Sequence, residues 1–365
     1  MKQSPLAHLS SQLAELAAND LLRVPPPIQS PEHPSFCSND YLGLASATHS
    51  DQIPAGAGAS RLVTGDTHDH RKLEAALAGW LNVEAALLFS SGYATNLGVV
   101  STLAEPGDLV VSDQLNHASI VDGCRLSRAR VAVVPHCDVA AIDRVLSERS
   151  EARAWVVSES YFSMDADSPD LVALRESCTR NGAALIVDEA HALGLYGPDG
   201  RGICAERGVV PDVIVGTLGK SFGAMGGFVA GSRDLIAWLW NRCRSFVYST
   251  GLSPRVAASA LANFQTALGN PMLRGNALAN AQRLRNALAS CGITPLGFGP
   301  IVPWVIGSNS RAMAVSARLA QAGIVAKAIR PPTVPVGQAR IRFTVSAKHS
   351  IQDIDYLAKA VTTVC

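Results

Sequence analysis

Thr217-Leu218-Gly219-Lys220-Ser221-Phe222-Gly223 follows the apolar run Val213-Ile214-Val215, and Gly226-Gly227 comes shortly after. The run reads as a buried strand, and the glycines let backbone approach a ligand closely. Lys220 stands between them, just past the strand end and without charged neighbours. An amine held there is partly desolvated, which lowers its pKa and frees its lone pair for attack on a carbonyl. An ordinary lysine in a turn fits this stretch equally well.

Ala184-Leu185-Ile186-Val187 reads as a second buried strand, ended by Asp188-Glu189-Ala190-His191. Asp188 falls at the carboxyl end of that strand, where open α/β sheets bind ligands. A lysine and a carboxylate at neighbouring strand ends suit pyridoxal phosphate. That cofactor takes an imine to a lysine and needs an acid to keep its ring nitrogen protonated, so that the ring can act as an electron sink.

The 365 residues are 48% hydrophobic, enough for a large core and more than one domain. A net charge of +1 gives no reason to expect nucleic acid or an anionic membrane as a partner. Only 17% of residues are charged, which fits a surface partly buried in an oligomer. Eight cysteines are scattered without a C-x-x-C pair, as expected of reduced thiols. No apolar run is long enough to span a bilayer and no signal-peptide core is seen, so a cytoplasmic location is expected.

Leu6, Leu9, Leu13, Leu16 and Leu21 predict an amphipathic helix over residues 1 to about 24, stopped by Pro25-Pro26-Pro27. Ser38-Asn39-Asp40-Tyr41-Leu42-Gly43 is turn-rich. Gly56-Ala57-Gly58-Ala59-Ser60-Arg61 reads as flexible and, with no strand before it, makes a poor dinucleotide fingerprint, so a nicotinamide dehydrogenase is disfavoured. His68 and His70 would not share a helix face, and no metal site is expected. Strands at 86–89, 109–111, 131–134 and 155–157 alternate with helical patterns, which predicts a largely parallel sheet with helices on both faces. Ser90 to Asn96 turn into a helix whose N-terminus suits a phosphate or, equally, a serine cap. Residues 255 to about 290 read as one long helix. Strand-like 301–306 and 339–345, with the proline loop Ile329 to Pro335 between them, come after it. The expected domains are an N-terminal arm (1–45), a large cofactor-binding α/β domain (46–254) and a small α+β domain (255–365).

Six motifs together resemble the α-oxoamine synthase family. They are Ser-Asn-Asp-Tyr-Leu-Gly at 38–43, Ser-Gly-Tyr-Ala at 91–94, His-Ala-Ser-Ile at 117–120, Phe-Ser-Met-Asp at 162–165, Asp-Glu-Ala-His at 188–191 and the Lys220 stretch. The resemblance runs from Arg23 to the C-terminus. It implies fold type I of the pyridoxal-phosphate transferases, the aspartate-aminotransferase-like fold, with a large mostly parallel sheet domain and a smaller C-terminal α+β domain. It implies an acyltransferase that joins an amino acid to an acyl thioester with loss of carbon dioxide. The loop Arg330-Pro331-Pro332-Thr333-Val334-Pro335 resembles the branch using L-alanine and a pimeloyl thioester, on coenzyme A or acyl carrier protein, for biotin synthesis. Branches using glycine with acetyl or succinyl thioesters, and a non-catalytic homologue, are the alternatives.

The resemblance also implies residue roles. Lys220 carries pyridoxal 5'-phosphate as a Schiff base and moves the substrate proton. Asp188 pairs with the ring nitrogen, His191 bonds the phenolic oxygen with Ser163 nearby, and His117 stacks on the ring. Gly92 and Tyr93 amides hold the phosphate, helped by Thr217. Thr250 reaches the phosphate of a partner subunit, so a homodimer with shared sites is implied. Arg23, Asn39, His117 and Thr333 fall near the substrate, and Arg342 is the choice for the amino-acid carboxylate, whose two oxygens match its planar fork. Two departures stand out. Ala166 occupies a position that is often glycine, and Ala192-Leu193 replaces a glycine-rich stretch.

Overall fold

The structure, a computed structural model, describes residues 8–24, 33–48 and 52–364. Leu6, the expected helix stop at Pro25-Pro26-Pro27 and Cys365 lie outside the described residues. The chain divides into two compact units. The larger is Asn39–Ser163 with Asp167–Asn276; the smaller is Met1–Ser38, Met164–Ala166 and Ala277–Cys365. The N-terminal arm therefore groups with the C-terminal residues, and the division falls at 276/277 and not at 254/255.

In the smaller unit, helix α1 is Leu9–Ala18, shorter than the expected 1–24. It stops where Asn19 Nδ2 caps the Glu15 carbonyl at 2.9 Å and Asp20 turns to φ 54°. Its leucines 9, 13 and 16 are exposed in the single chain.

The larger unit runs α2 (His68–Leu81), β1 (Ala85–Phe89), α3 (Gly92–Leu103), β2 (Leu109–Asp113), α4 (Ala118–Ser127), β3 (Arg130–Val134), α5 (Val139–Ser147) and β4 (Ala154–Glu159). It continues with α6 (Leu171–Arg180), β5 (Ala184–Asp188), α7 (Ile203–Glu206), β6 (Val213–Thr217), β7 (Gly227–Gly231), α8 (Arg233–Arg242), α9 (Arg244–Val247) and α10 (Pro254–Gly269). The seven strands lie in the order β1-β7-β6-β5-β4-β2-β3. β2 to β6 pair in parallel, and β7 alone runs against both of its neighbours.

β7 is not among the expected strands, because its glycines read as ligand-facing. They serve packing instead: a Cβ on Gly227 would lie 2.5 Å from Thr95 Oγ1 and 2.7 Å from Gly92 Cα. Its bare backbone lets the start of α3 come close to the sheet.

The long helix expected from 255 is two helices, α10 and α11 (Pro271–Ser290). Pro271 has no N–H to continue α10 but suits the first turn of a new helix. α10 packs on α2, and Asn263 Nδ2 donates to the Phe222 carbonyl at 2.9 Å, within the larger unit. The smaller unit adds β8 (Ile301–Gly307), α12 (Asn309–Gln321), β9 (Ala328–Ile329), β10 (Ala339–Thr344) and α13 (Ile351–Val364). Its antiparallel sheet has the order β8-β10-β9. Phe36, Leu284, Leu319, Ile341, Phe343 and Leu357 lie in its apolar core.

Candidate active site

The apolar runs of β4, β5 and β6 end together, and their last residues face a common space. Glu159, the final residue of β4, is in register with Asp188, the final residue of β5. Asp188 is buried. Its Oδ1 accepts the Ala190 N–H at 2.8 Å and its Oδ2 accepts Asn96 Nδ2 at 2.6 Å. Thr217 closes β6. Its hydroxyl donates to the Gly226 carbonyl at 3.0 Å and accepts the Gly219 N–H at 3.2 Å.

The turn after Thr217 carries Lys220. Phe222, fully buried, meets Trp80 and Phe264 edge-on at 5.7 and 5.6 Å between centroids. Gly223, at φ +55°, packs so closely on Leu44 and Ala45 that a Cβ would strike their backbone. The turn is thus anchored on one side while Lys220, half-buried, faces the pocket.

Helix α3 begins at Gly92, where Ser91 Oγ accepts the Ala94 N–H at 3.1 Å. Its first-turn amides have no intrahelical acceptor and sit at the positive end of the helix dipole. Tyr93 hydrogen-bonds through its hydroxyl to the Asp122 carboxylate and stands edge-on to the His117 ring at 6.2 Å. His117 caps α4. Glu159 Oε1 accepts its backbone N–H at 2.7 Å, and its Nδ1 lies 2.7 Å from Ser119 Oγ. His191 Nδ1 lies 2.7 Å from the buried Tyr41 hydroxyl.

One pocket is lined by Gly92, Tyr93, His117, Asp188, His191, Thr217 and Lys220 from the expected set, together with Asn96, Ser119, Glu159 and Ala190. Ser119 and Ala190 lie inside quoted motifs and Asn96 ends the Ser90 to Asn96 turn, but residue type alone singles none of these three out. Glu159 could have been found as an acid ending an apolar strand, as Asp188 was. Burial, then the Asp188 charge, push the Glu159 carboxyl up to about 8, against the pull of Lys220 and the His117 N–H. Burial pulls the His117 imidazole below its ordinary value; Asp188 opposes this and Lys220 adds to it.

The remaining expected residues lie elsewhere in their units. Ser163 and Asn39 are half-buried in loops, and Thr250 is exposed in the loop before α10. In the smaller unit, Arg23 Nη2 donates to Thr333 Oγ1 at 3.0 Å, and both line a second pocket with Lys327 and Arg330. Arg342 is buried on β10, with Nη1 donating to Thr344 Oγ1 at 3.0 Å. Ala166 has φ +58° and no exposure, which explains why glycine suits that position.

Outside the pocket, Arg61 is buried in ion pairs with Asp66 and Glu74, so the glycine-rich stretch before it is anchored at one end. His70 Nδ1 meets the Thr67 N–H at 3.1 Å and Nε2 meets the Leu252 carbonyl. Asp113, His136 and Cys137 bring possible metal-ligand atoms within 4.8 Å of one another. Both His136 nitrogens, however, are engaged by carboxylates, Asp113 at 2.9 Å and Asp167 at 3.0 Å. An imidazolium between two carboxylates is not a metal ligand. The seven described cysteines are free, and no helix among the described residues is long and apolar enough to cross a membrane.

Comparison with known proteins agrees with this geometry. The family model "Aminotransferase class I and II" matches residues 34–361. The chain is 43% identical to an 8-amino-7-oxononanoate synthase of Anaeromyxobacter dehalogenans, covering 100% of this chain and 97% of that one. It is 44% identical to that of Marinobacter nauticus, covering 90% and 86%. A serine palmitoyltransferase from S. paucimobilis, solved with a bound PLP-myriocin aldimine, superposes with a TM-score of 0.92 at 27% identity over 99% and 97% of the chains. An 8-amino-7-oxononanoate synthase structure from Francisella tularensis shares the fold, with a TM-score of 0.76 at 24% identity over 92% and 98%. The chain belongs to the class I and II aminotransferase family and, within it, to the 8-amino-7-oxononanoate synthases.

Proposed function

We propose that this protein condenses L-alanine with a pimeloyl thioester to give 8-amino-7-oxononanoate, carbon dioxide and a free thiol, a step of biotin synthesis. The observation that carries the reading is the single pocket uniting Lys220, Asp188, His117 and His191 with the first turn of α3, in a chain of this family.

The residues present fit pyridoxal phosphate. A dianionic phosphate suits the first-turn amides of Gly92 and Tyr93, with the Thr217 hydroxyl beside them. A protonated ring nitrogen suits Asp188, which two donors already hold as an acceptor. An aldehyde suits the half-buried Lys220 amine. When bound, the cofactor supplies an electron sink for negative charge developing beside the amino group.

The chain's own residues would do the rest. Lys220 Nζ would hold the aldehyde end covalently until the amine of alanine displaces it, and the freed amine would then take the α proton and return a proton to the product. Asp188 would face the ring nitrogen as a hydrogen-bond acceptor. His191, held by Tyr41, would bond the phenolic oxygen, a task in which the family resemblance adds Ser163. His117 covers the ring face. Arg342 takes the alanine carboxylate, and Arg23, Asn39 and Thr333 meet the acyl substrate. Thr250, exposed in the single chain, would complete the phosphate site of a partner subunit in a homodimer. The enzyme would work in the cytoplasm, with the acyl group on coenzyme A or acyl carrier protein.

The test offers alanine, glycine or serine with pimeloyl, acetyl, succinyl or palmitoyl thioesters to the cofactor-loaded protein and measures thiol release. Alanine with the pimeloyl thioester is expected to give the highest kcat/KM by at least about tenfold. A higher value for any other pair contradicts the reading.

A further inference from the structure

A continuous set of hydrogen bonds joins Asp188 to His117, and the direction of each can be worked out. Asp188 Oδ1 accepts the Ala190 N–H. Its Oδ2 lies 2.6 Å from the Asn96 amide nitrogen; the reverse amide orientation would set a carbonyl oxygen against the carboxylate. Asn96 Nδ2 therefore donates, and its second hydrogen goes to Ser119 Oγ at 3.1 Å. His117 Nδ1 accepts the Ser119 backbone N–H at 3.2 Å, so it is an acceptor, and the Ser119 hydroxyl 2.7 Å away donates to it. Nδ1 receives two donors and so carries no proton. In the neutral ring the proton then sits on Nε2.

Two further observations fit. Glu159 Oε1 fixes the same residue through its backbone N–H. Asn96 Oδ1 is buried with no partner among the described residues, an arrangement that costs stability and that packing alone does not explain. Among the described residues, no protein group meets Nε2, although His117 lines the pocket.

We infer that Asn96 and Ser119 are positioning residues: they hold His117 as a neutral imidazole whose Nε2–H donates a hydrogen bond to the carbonyl oxygen of the acyl thioester. A neutral N–H aimed at that oxygen stabilises the charge it gains as the carbon–carbon bond forms, without transferring the proton. The charged and titratable groups facing His117 are Asp188, Lys220 and Glu159, with Tyr93 at the ring edge. The inference rests on the reaction proposed above.

The test is nitrogen NMR of the cofactor-loaded enzyme labelled with 15N-histidine, with the His117 signals identified by their loss in His117→Gln. From about pH 8 to about pH 6, across the ordinary histidine midpoint, a pyridine-type Nδ1 and a pyrrole-type Nε2 are expected. Ser119→Ala should mix the tautomers or raise the midpoint, and lower kcat roughly tenfold or more with little change in the alanine KM. Ser119→Thr, which keeps the hydroxyl, should restore both. A protonated Nδ1 in the wild type overturns the inference. So does a Ser119→Ala variant that keeps either the wild-type tautomer or the wild-type kcat; if it does not fold, the wild-type spectrum decides. A wild-type enzyme with the expected tautomer but no alanine–pimeloyl activity would defeat the proposed reaction and leave the tautomer assignment standing.

Discussion

Glu159 and Asp188 stand in register at the ends of β4 and β5, two buried carboxyls with one lysine, Lys220, for both. Near the end of β2 two carboxylates again meet one base, but here each takes its own nitrogen of a single imidazole: Asp113 and Asp167 on His136. Burial alone would lower His136, but the hydrogen bonds it donates to Asp113 and Asp167, with the Cys137 contact, overcome it and push it up to about 12. In the first cluster burial, and after it the Asp188 charge, raises Glu159 to about 8; in the second a carboxylate meets each nitrogen of the ring. The His136 cluster is an ion-pair network away from the pocket, whereas the Glu159 cluster lines it. A buried carboxyl raised this far in a pocket is what a catalytic site is expected to hold, and it supports the proposed site.

The largest expected effect falls on the pocket cluster. Asp188→Asn keeps the shape but removes the carboxylate proposed to face the ring nitrogen. Turnover should drop roughly 10³-fold, as when an enzyme loses an electrostatic partner of its transition state, and steady-state kinetics with alanine and pimeloyl thioester would show it. Near-normal turnover would mean that the carboxylate has no such task.

His136→Gln attacks the His136 ion-pair cluster and should cost about 3 kcal/mol in denaturant unfolding, because two carboxylates lose their cation. The sign with pH is definite. A folded-state pKa raised to about 12 gives stability that is full below the ordinary value of 6.5 and is lost as pH rises through about 12. The gap between wild type and variant should therefore shrink over that window.

Glu159→Gln should act in the other direction. A carboxyl raised from 4.5 to about 8 stabilises fully below 4.5 and loses that contribution as pH rises through about 8. In cofactor-free protein the glutamine variant should gain on the wild type above about pH 8, by on the order of 2 kcal/mol, and show no such gain below 4.5. Equal pH profiles would mean that Asp188 and burial do not press on this group. The smallest effect is at Ala166, whose φ of +58° strains a side chain. Ala166→Gly should raise stability by about 1 kcal/mol, read from the unfolding midpoint.

The strand ends were legible in the sequence because apolar runs stop abruptly at Asp188 and Thr217, and the residues just past a buried strand of an α/β sheet face a ligand. Glu159 was readable as an acid ending an apolar strand, but Asn96 and Ser119 were hidden because their roles depend on contacts between residues far apart in the chain. β7 was hidden too, since its glycines matter for the approach of α3. The boundary of α10 and α11 was blurred because alanine and leucine continue helical spacing across Asn270-Pro271, and only the missing N–H marks the break. The exposed leucines of α1 keep the expected spacing, but spacing does not tell what covers a helix face.

The most direct test loads the protein with pyridoxal phosphate, reduces it with borohydride and maps the labelled peptide. The chain has lysines at 2, 72, 220, 327, 348 and 359. The label is predicted on Lys220 alone, with no label and at least about a 10⁴-fold loss of turnover in Lys220→Ala. Label on another lysine, or a labelled and active Lys220→Ala, would contradict the account.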